Sequence, residues 1–209
     1  HLGDKDRGYR ILRSLWSDKD AQSELVGNRY ILKLLYPDLF SDILSSSETK
    51  YALPSYFLQA LAREESSFHP NIASWAGAKG LLQLMPGTAK RIAKRAKIRY
   101  RGEGDLLNPT INASLGGALM RELSQKFKGD PAAMLAGYNA SQKASSTWRS
   151  KHLDQEIDRM IESITVKETR KYVKRVLETW GIYRWLYGKD SIALKPWKVG
   201  EPLKWAGGR

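Results

Sequence analysis

The sequence is most restrictive in what it lacks. None of its 209 residues is a cysteine, so the chain has no disulfide and no thiol for lipidation, and either an oxidising or a reducing compartment suits it. The three histidines, His1, His69 and His152, are isolated, and neither an H-E-x-x-H string nor a cluster of acidic ligands accompanies them. A phosphate-binding G-x-x-x-x-G-K-[ST] string is also missing. We therefore predict no metal and no other cofactor.

Long apolar runs are missing as well. No stretch reaches the roughly 20 residues that cross a bilayer, and the first residues do not form a basic segment followed by an apolar one. Because the chain starts at His1 instead of Met, we expect a processed or trimmed form whose export signal is not visible. Hydrophobic residues make up 42% and charged residues 27%, which is typical of a folded enzyme-sized domain with at most a small appendage.

Acidic residues are few relative to basic ones. The chain has 22 Asp and Glu against 35 Lys and Arg, a formal net charge of +13, and the basic residues are densest in residues 90–101 (KRIAKRAKIRYR). Such a run could contact nucleic acid, a membrane surface or an anionic polymer. It could also be the solvated face of a helix whose buried side is Ile92, Ala93, Ala96 and Ile98. No helix-turn-helix, zinc-finger or RNP string is present, so nucleic acid is not a predicted partner.

Apolar residues recur at helical spacing along most of the chain, and period-two alternation is scarce. The sequence therefore predicts a mainly α-helical fold. We expect a helical N-terminal appendage at residues 1–48, a catalytic unit at 49–188 and a tail at 189–209. The polar stretch 45–50 (SSSETK) is interpreted as the separation, and Trp197 and Trp205 predict that the tail packs back on the domain or along a groove. The predicted helices are 5–17, 18–35, 40–46, 53–67, 87–96, 111–127, 131–138, 155–163 and 165–187.

One carboxylate interrupts an apolar stripe. Glu65 lies at i+4 from Leu61 and i+7 from Leu58, on the inward side of the predicted helix 53–67. Its neighbour Glu64 is turned about 100° away around the helix. A carboxyl held against apolar surface has a raised pKa and can stay protonated near neutral pH, as a general acid requires. The alternative is that Glu65 bends out to solvent or pairs with a buried arginine.

The residues after Glu65 form an irregular segment. In residues 62–89 (AREESSFHPNIASWAGAKGLLQLMPGTA), Gly77 and Gly80 allow a close backbone approach to another segment or to a ligand. The Gln83 amide can donate and accept hydrogen bonds, which suits a sugar hydroxyl or acetamido group. The whole string resembles the signature of the family 1 lytic transglycosylases: an E-S pair ending a helix, then S-x-x-G-A-x-G-L-M-Q, then a P-x-T-A helix start.

The resemblance continues towards the C-terminus. Asn108 and Pro109, followed by Asn112 and Gly116, resemble the family's D-P-x-x-N-x-x-x-G segment. Residues 135–140 (LAGYNA) resemble A-A-Y-N-A-G, and residues 162–173 (ESITVKETRKYV) resemble E-x-I-P-x-x-E-T-R-x-Y-V. This chain departs from the pattern at four positions, which we expect to alter the shape of a glycan groove: Leu82 for Met, Leu119 for Tyr, Ser141 for Gly and Thr165 for Pro.

The resemblance implies a lysozyme-like helical catalytic domain with peptidoglycan lytic transglycosylase activity. Glu65 is implied to act alone, first as acid and then as base, in cleaving the β-1,4 bond between N-acetylmuramic acid and N-acetylglucosamine, with 1,6-anhydromuramoyl ends as product. The implied partner is the peptidoglycan glycan strand, and the implied location is the bacterial periplasm or cell envelope. The residues implied to bind the glycan are Ser74, Gln83, Met85, Tyr138, Asn139, Glu162 and Tyr172.

Two other functions stay open. A hydrolytic muramidase of the same architecture needs a second carboxylate to activate water, and Asp105 is a candidate. A murein-binding scaffold that has lost activity is the other alternative, and the presence of Glu65 argues against it. For the basic stretch, we expect a solvated helix face with a general, salt-screened attraction to anionic murein.

Overall fold

The computed structural model describes residues 29–188 and 198–199. Across these residues the fold is mainly helical, with β structure limited to isolated bridges, which confirms the predicted fold class. A short 3₁₀-helix, Glu103–Leu107, lies in the middle of the described chain. The α-helices, in chain order, are α1 (Arg29–Leu35), α2 (Ser41–Tyr51), α3 (Phe57–Ser66), α4 (Pro86–Ala96), α5 (Pro109–Phe127), α6 (Pro131–Asn139), α7 (Gln142–Ser150), α8 (Ile157–Ser163) and α9 (Lys167–Tyr187).

The core is built around the contact of α3 with α9. Both helices present apolar side chains at helical spacing, and Phe57 and Leu61 of α3 are fully buried, as are Trp180 and Tyr183 of α9. The rings of Phe57 and Trp180 meet edge to face, with their centroids 5.2 Å apart. This contact fixes the position of α3, the helix that carries Glu65.

Residues 45–50, the stretch interpreted as a separation, form the second half of α2. Two of their polar side chains are buried: Ser47 Oγ donates to Ala113 O of α5 at 2.8 Å, and the carboxylate of Glu48 accepts from the backbone N–H groups of Tyr56 at 2.9 Å and Leu58 at 2.7 Å. The other four residues of the stretch are exposed. The stretch is therefore helical and tied to α3 and α5 through Ser47 and Glu48. The division of the chain near residue 48 stays a prediction.

The segment between α3 and α4 is short of regular structure but tied to the domain. Asn112 of α5 is fully buried, donates to Lys79 O and Leu106 O at 2.9 Å each, and accepts from Leu82 N at 2.8 Å. Gly80 has a φ of 80°, and a Cβ there would lie 2.0 Å from Leu106 O. The close backbone approach at Gly80 is therefore to another segment of the chain and not to a ligand.

Helix α4 carries part of the basic stretch on two different faces. Arg91 donates to both oxygens of Glu122 on α5 at 2.8 Å, and Arg95 donates to Glu122 Oε2 at 2.8 Å. Burial raises the pKa of Glu122, but these arginine bonds and one from Gln142 outweigh it, so the pKa lies below its usual value. Lys90 and Lys94 are exposed. The two arginines therefore also join α4 to α5, and the predicted solvated basic face stays a prediction.

The predicted buried side of this stretch needs one correction. Ile92 and Ala93 are buried as predicted and Ile98 is partly buried, but Ala96 is exposed. Ala96 is the last residue of α4, where the chain turns away from the core, and Ala89 in the first half of the helix is buried instead.

Several helix boundaries differ from the prediction. The helix predicted at 53–67 begins at Phe57, because Tyr56 takes a left-handed φ of 64° after Pro54. Helix α7 and the 3₁₀-helix are absent from the prediction. The predicted helix 5–17 and most of the predicted helix 18–35 lie outside the described residues.

The described part of the predicted tail consists of two residues. Val199 is fully buried and exchanges backbone hydrogen bonds with Asp154 and Gln155, both 2.8 Å long, while Trp197 and Trp205 lie outside the described residues. Of the helices in the described ranges, none combines the length and the apolar character that a membrane span requires.

Candidate active site

Glu65 lies in the last turn of α3 with its carboxyl group turned into the protein. The hydroxyl of Tyr172 on α9 donates to Glu65 Oε1 at 2.6 Å. Burial raises the pKa of Glu65 to about 7, although the Tyr172 hydrogen bond and the positive charge of Arg175 lower it; the charge of Glu64 adds to the rise. The carboxyl thus exchanges a proton near neutral pH, which suits a group that first donates and then accepts one.

Glu64 lies off the apolar stripe of α3, as its turn of about 100° from Glu65 predicts. Helix α9 covers that face, so the Glu64 side chain is only 5% exposed. Its carboxylate accepts from Arg63 Nη1 at 2.6 Å, from Arg175 Nε at 2.8 Å and from Thr179 Oγ1 at 2.8 Å. Glu64 is therefore a buried, paired carboxylate that fastens α3 to α9, because the packing of a distant helix decides its exposure.

Tyr138 connects α6 to the segment that follows α3. Its hydroxyl donates to the carbonyl of Leu82. Burial raises the pKa of Tyr138 well above its usual value, and the charge of Glu65 raises it further. The pKa of Tyr172 is raised for the same two reasons. Both phenols stay protonated, so they serve as hydrogen-bond donors beside the carboxyl of Glu65.

Ser74 and Gln83 lie on the irregular segment, and both make bonds within it. Ser74 Oγ accepts from Ala78 N at 3.0 Å. The Gln83 amide nitrogen donates to Gly80 O at 2.9 Å and to Ile72 O at 3.3 Å, so its two N–H groups are engaged. The predicted double role of the Gln83 amide is therefore reduced to that of an acceptor through Oε1, while the Ser74 hydroxyl can still donate its hydrogen to a ligand.

Asn139, Met85 and Glu162 lie at three different edges of this region. Asn139 ends α6, is exposed, and accepts from Thr169 Oγ1 at 2.7 Å. Met85 directly precedes α4 and is 45% exposed. Glu162 of α8 is exposed and pairs with Lys174 instead of contacting Glu65. Their predicted roles in glycan binding stay predictions.

Asp105, the candidate second carboxylate, belongs to the 3₁₀-helix. Its Oδ2 accepts from the backbone N–H of Arg101 at 2.8 Å, which closes a turn. The charges that perturb the pKa of Glu65 are those of Arg175 and Glu64, and Asp105 is not one of them. In the part of the chain that the structure describes, no group of three His, Asp or Glu side chains is placed to hold a metal ion.

Two of the four departures from the family pattern lie in the interior. Leu82 is fully buried and Leu119 is 7% exposed, so both contribute to packing. Ser141 accepts from Ala144 N at 3.1 Å and caps α7. Thr165 is exposed just before α9. Leu82 and Leu119 could change a groove only through packing, and the expectation that the four positions shape it stays a prediction.

Sequence reasoning missed three residues that position the site. Asn112 anchors the segment after α3, Thr169 orients Asn139, and Glu48 supplies the hydrogen bonds at the start of α3. Asn112 and Thr169 stand inside the matched motifs, so their signal was present. The signal for Glu48 was weaker: the residues before Phe57 include no side chain that caps the helix.

The Transglycosylase SLT domain matches residues 42–161 of the chain, which confirms the resemblance. Soluble lytic murein transglycosylase of Escherichia coli (strain K12) is 34% identical over 194 residues, covering 89% of this chain and 29% of that protein. A putative soluble lytic murein transglycosylase of Haemophilus influenzae is 32% identical over 178 residues, covering 84% of this chain and 30% of that protein. The chain thus spans less than a third of the length of either relative.

Solved structures give the same relationship. The 70 kDa soluble lytic transglycosylase of Escherichia coli superimposes with a TM-score of 0.74 at 30% identity, covering 87% of this chain and 30% of that one. The lytic transglycosylase Slt of Pseudomonas aeruginosa gives a TM-score of 0.74 at 29% identity, covering 88% of this chain and 30% of that one. The latter structure is of an inactive mutant in which a glutamate is replaced by glutamine.

Proposed function

Because this chain belongs to the Transglycosylase SLT domain family, we propose that it is a lytic transglycosylase that cleaves the glycan strands of peptidoglycan. The bond cleaved is the β-1,4 bond between N-acetylmuramic acid and N-acetylglucosamine, and the product carries a 1,6-anhydromuramoyl end. The observation that carries the proposal is Glu65: a partly buried carboxyl whose pKa is raised to about 7 and whose bonded partner is the neutral phenol of Tyr172.

The reaction begins with a proton transfer from Glu65. Since Tyr172 donates to Oε1, the acidic proton resides on Oε2, and this oxygen protonates the glycosidic oxygen as the bond to C1 breaks. The acetamido group of the same muramic residue stabilises the positive charge that develops at C1. No second protein carboxylate takes part in this step.

The second proton transfer closes the anhydro ring. The Glu65 carboxylate left by the first step removes the proton from the C6 hydroxyl of the same muramic residue, and the C6 oxygen attacks C1. Atoms balance without water, because the proton returns to Glu65 and the sugar keeps its own oxygen. Holding the C6 hydroxyl beside C1 is a proximity effect that can contribute several kcal/mol.

The other site residues bind the substrate. Ser74 Oγ can donate and Gln83 Oε1 can accept, a pair that suits the N–H and carbonyl groups of acetamido sugars. Met85 offers an exposed apolar side chain on the same segment. We assign Asn139 and Glu162 to the glycan-binding edge formed by the ends of α6 and α8, where Thr169 holds Asn139 in place.

The rival function, a hydrolytic muramidase, needs a carboxylate that is free to activate water. Glu64 is adjacent to Glu65, but both of its oxygens accept hydrogen bonds from Arg63, Arg175 and Thr179. Asp105 uses one oxygen, Oδ2, to accept from the backbone N–H of Arg101. Neither arrangement favours hydrolysis, and a scaffold without activity does not require a carboxyl with the pKa of Glu65.

Digestion of purified sacculi in heavy-oxygen water tests the proposal against both rivals. We expect muramic ends that are one water lighter than reducing ends, that resist borohydride and that carry no heavy oxygen. Asp105→Asn should cleave at the parent rate. Labelled, reducible ends that disappear in the Asp105→Asn variant would establish the hydrolytic muramidase. The absence of any cleavage by the intact protein would instead favour a murein-binding scaffold without activity.

The place of action follows from the substrate. We propose the bacterial periplasm or cell envelope, because that is where peptidoglycan lies. The net charge of +13 favours attraction to the acidic peptide stems and does not by itself call for nucleic acid or a lipid surface.

A further inference from the structure

Trp75 exposes its whole side chain on the segment that also carries Ser74 and Gln83. Its exposure is 101%, whereas Trp148 and Trp180 are 7% and 0% exposed. Single exposed apolar residues are common on protein surfaces. A fully exposed indole is nevertheless unfavourable for folding, because it leaves roughly 200 Å² of mainly apolar surface in water and makes no packing contacts that stabilise the fold.

The backbone holds Trp75 in a fixed place. Gly77 N donates to Ser74 O at 3.0 Å, Ser74 N donates to Ala78 O at 2.9 Å, and Ala78 N donates to Ser74 Oγ at 3.0 Å. Gly77 has a φ of 90°, and a Cβ there would meet no atom within 4 Å, so the glycine is required by the backbone conformation of the turn and not by a close contact. A ring mounted on so fixed a turn can bind a ligand with little loss of backbone entropy.

The surroundings of Trp75 favour an uncharged ligand. Residues 73–78 (ASWAGA) carry no charge, and Lys79 pairs with Glu103 at 2.8 Å. A partner recognised through phosphate or carboxylate groups therefore finds no complementary charge on this turn. A flat indole next to the hydroxyl of Ser74 suits a pyranose ring instead, because a pyranose has an apolar C–H face and hydroxyls at its edge.

We propose that Trp75 is a stacking platform for a sugar ring of the glycan strand, outside the two rings joined by the cleaved bond. The inference rests on the proposed function, since it takes the glycan as ligand. The groups that bond to Glu65 or act on its charge lie on α3 and α9 and not on this turn. Trp75 should accordingly contribute affinity for long strands and take no part in proton transfer.

The first test compares Trp75→Ala, Trp75→Phe and the intact protein on long uncrosslinked glycan strands and on a tetrasaccharide. On long strands Trp75→Ala should raise KM about tenfold with kcat changed less than about twofold, and Trp75→Phe should restore most of the affinity. On the tetrasaccharide all three proteins should agree within about twofold. Tyr30→Ala, which removes an aromatic ring that is 72% exposed on α1, is the matched control and should leave both substrates unaffected.

A second readout measures binding without turnover. In the Glu65→Gln background, long strands should shift the tryptophan fluorescence to shorter wavelength, and the added change Trp75→Phe should remove that shift. An unchanged KM for Trp75→Ala together with an unchanged fluorescence shift for Trp75→Phe would overturn the proposal. A kcat loss on the tetrasaccharide would also overturn it, because Trp75 would then belong to the cleavage site.

The same variants separate this inference from the proposed function. If the intact protein cleaves no glycan, the proposed function fails, and the fluorescence measurement alone decides on Trp75. If Trp75→Ala instead converts a dimer into a monomer in sedimentation, with glycan affinity unchanged, a second copy of the chain covers the ring and the platform is excluded. Thermal melting followed by circular dichroism should give each variant the Tm of the parent, which shows that any change in affinity does not come from unfolding.

Discussion

At Glu65, burial and hydrogen bonding act on the same carboxyl in opposite directions. Burial favours the protonated form and dominates, while the Tyr172 hydroxyl and the charge of Arg175 favour the anion. The resulting pKa of about 7 keeps both forms accessible at neutral pH. A group that must donate and then accept a proton works best in that range, so the balance between burial and hydrogen bonding is what suits Glu65 to a dual role.

Glu65→Gln should abolish cleavage and change the pH dependence of stability. Loss of the acid and base should lower the rate at least roughly 1,000-fold. The folded pKa is raised above the unfolded value, so the stability linked to this proton is complete below about pH 4.5 and is lost as pH rises through about 7. The glutamine variant should therefore be more stable than the parent by on the order of 2 kcal/mol at pH 8 and nearly equal to it at pH 4.

Urea unfolding at both pH values measures this difference. Burial also raises the pKa of Glu48 to about 7, but Glu48 is present in both proteins and its contribution cancels in the comparison. A variant that is clearly less stable than the parent at pH 8 would show that Glu65 is a paired structural carboxylate.

Tyr172→Phe should move the basic limb of the kcat/KM profile to higher pH. The phenylalanine removes the hydroxyl that stabilises the Glu65 anion, so the pKa of Glu65 rises further. We also expect kcat to fall roughly tenfold, since the carboxyl loses its orienting bond. The matched control is Tyr138→Phe, whose hydroxyl donates to Leu82 O instead. Equal displacement of the limb in both variants would contradict the assignment.

At the scale of elements, α3 is fastened at both ends by other helices. At its start Glu48 of α2 accepts two backbone N–H groups that no local side chain satisfies. At its end Glu64 accepts bonds from Arg175 and Thr179 of α9. The hydrogen bonds to Glu48 satisfy backbone N–H groups at the start of α3, and those to Glu64 hold its end against α9. Together they fix the turn that carries Glu65.

Glu64→Gln should destabilise the protein by about 1–3 kcal/mol, because Arg63 and Arg175 lose their anionic partner in a site that is mostly buried. Below the melting transition the variant should keep most of its kcat, since Glu64 does not contact Tyr172 or supply the proton. Thermal unfolding and initial rates at 25 °C measure the two effects separately. A loss of kcat as complete as that of Glu65→Gln, at unchanged stability, would show that the two glutamates are assigned in the wrong order.

Periodicity explains why some elements could be predicted and others could not. The apolar stripe around Leu58 and Leu61 predicts α3 and the inward position of Glu65, because both depend on the spacing within one helix. Helix α7 (QKASSTWRS) is only 9 residues long and has a single large apolar side chain, Trp148, which is too little to establish a helical period from the sequence; Trp148 and Ser145 are buried where α6 packs against it. The burial of Glu64 likewise depends on Arg175, which is 111 residues away in the chain. Local spacing contains no information about such contacts.

At the scale of the whole molecule, the candidate site is a meeting of distant segments. Tyr172 and Glu65 are separated by 107 residues, and Tyr138 and Leu82 by 56. The motif resemblance identifies these positions as a set, yet it does not give their bonds: Gln83 uses its N–H groups internally and Glu162 pairs with Lys174. Family membership could be predicted from the sequence, whereas the hydrogen-bond and ion-pair partners of each site residue could be read only from the structure.

The basic residues of α4 have two roles, because some of them join α4 to α5 and others face solvent. Arg91 and Arg95 point to Glu122 and join α4 to α5. Lys90 and Lys94, one helical turn apart, are exposed on a different face of α4. The two lysines, and the exposed part of Arg95, are available for a long-range attraction to an anionic polymer. Because the two arginines also join α4 to α5, neutralising all four cations at once would mix two effects.

Lys90→Gln combined with Lys94→Gln should weaken binding to sacculi roughly threefold to tenfold at low salt, because two charges that face the anionic polymer are removed. The loss should shrink as salt screens the attraction, and turnover of a tetrasaccharide should stay the same. The matched pair Arg91→Gln and Arg95→Gln should instead lower the free energy of unfolding by about 1 kcal/mol, since Glu122 loses its partners.

Pelleting of the Glu65→Gln forms with sacculi over a series of salt concentrations measures the binding. If the lysine pair also abolished tetrasaccharide turnover, this face of α4 would belong to the active site and the assignment to surface attraction would be wrong.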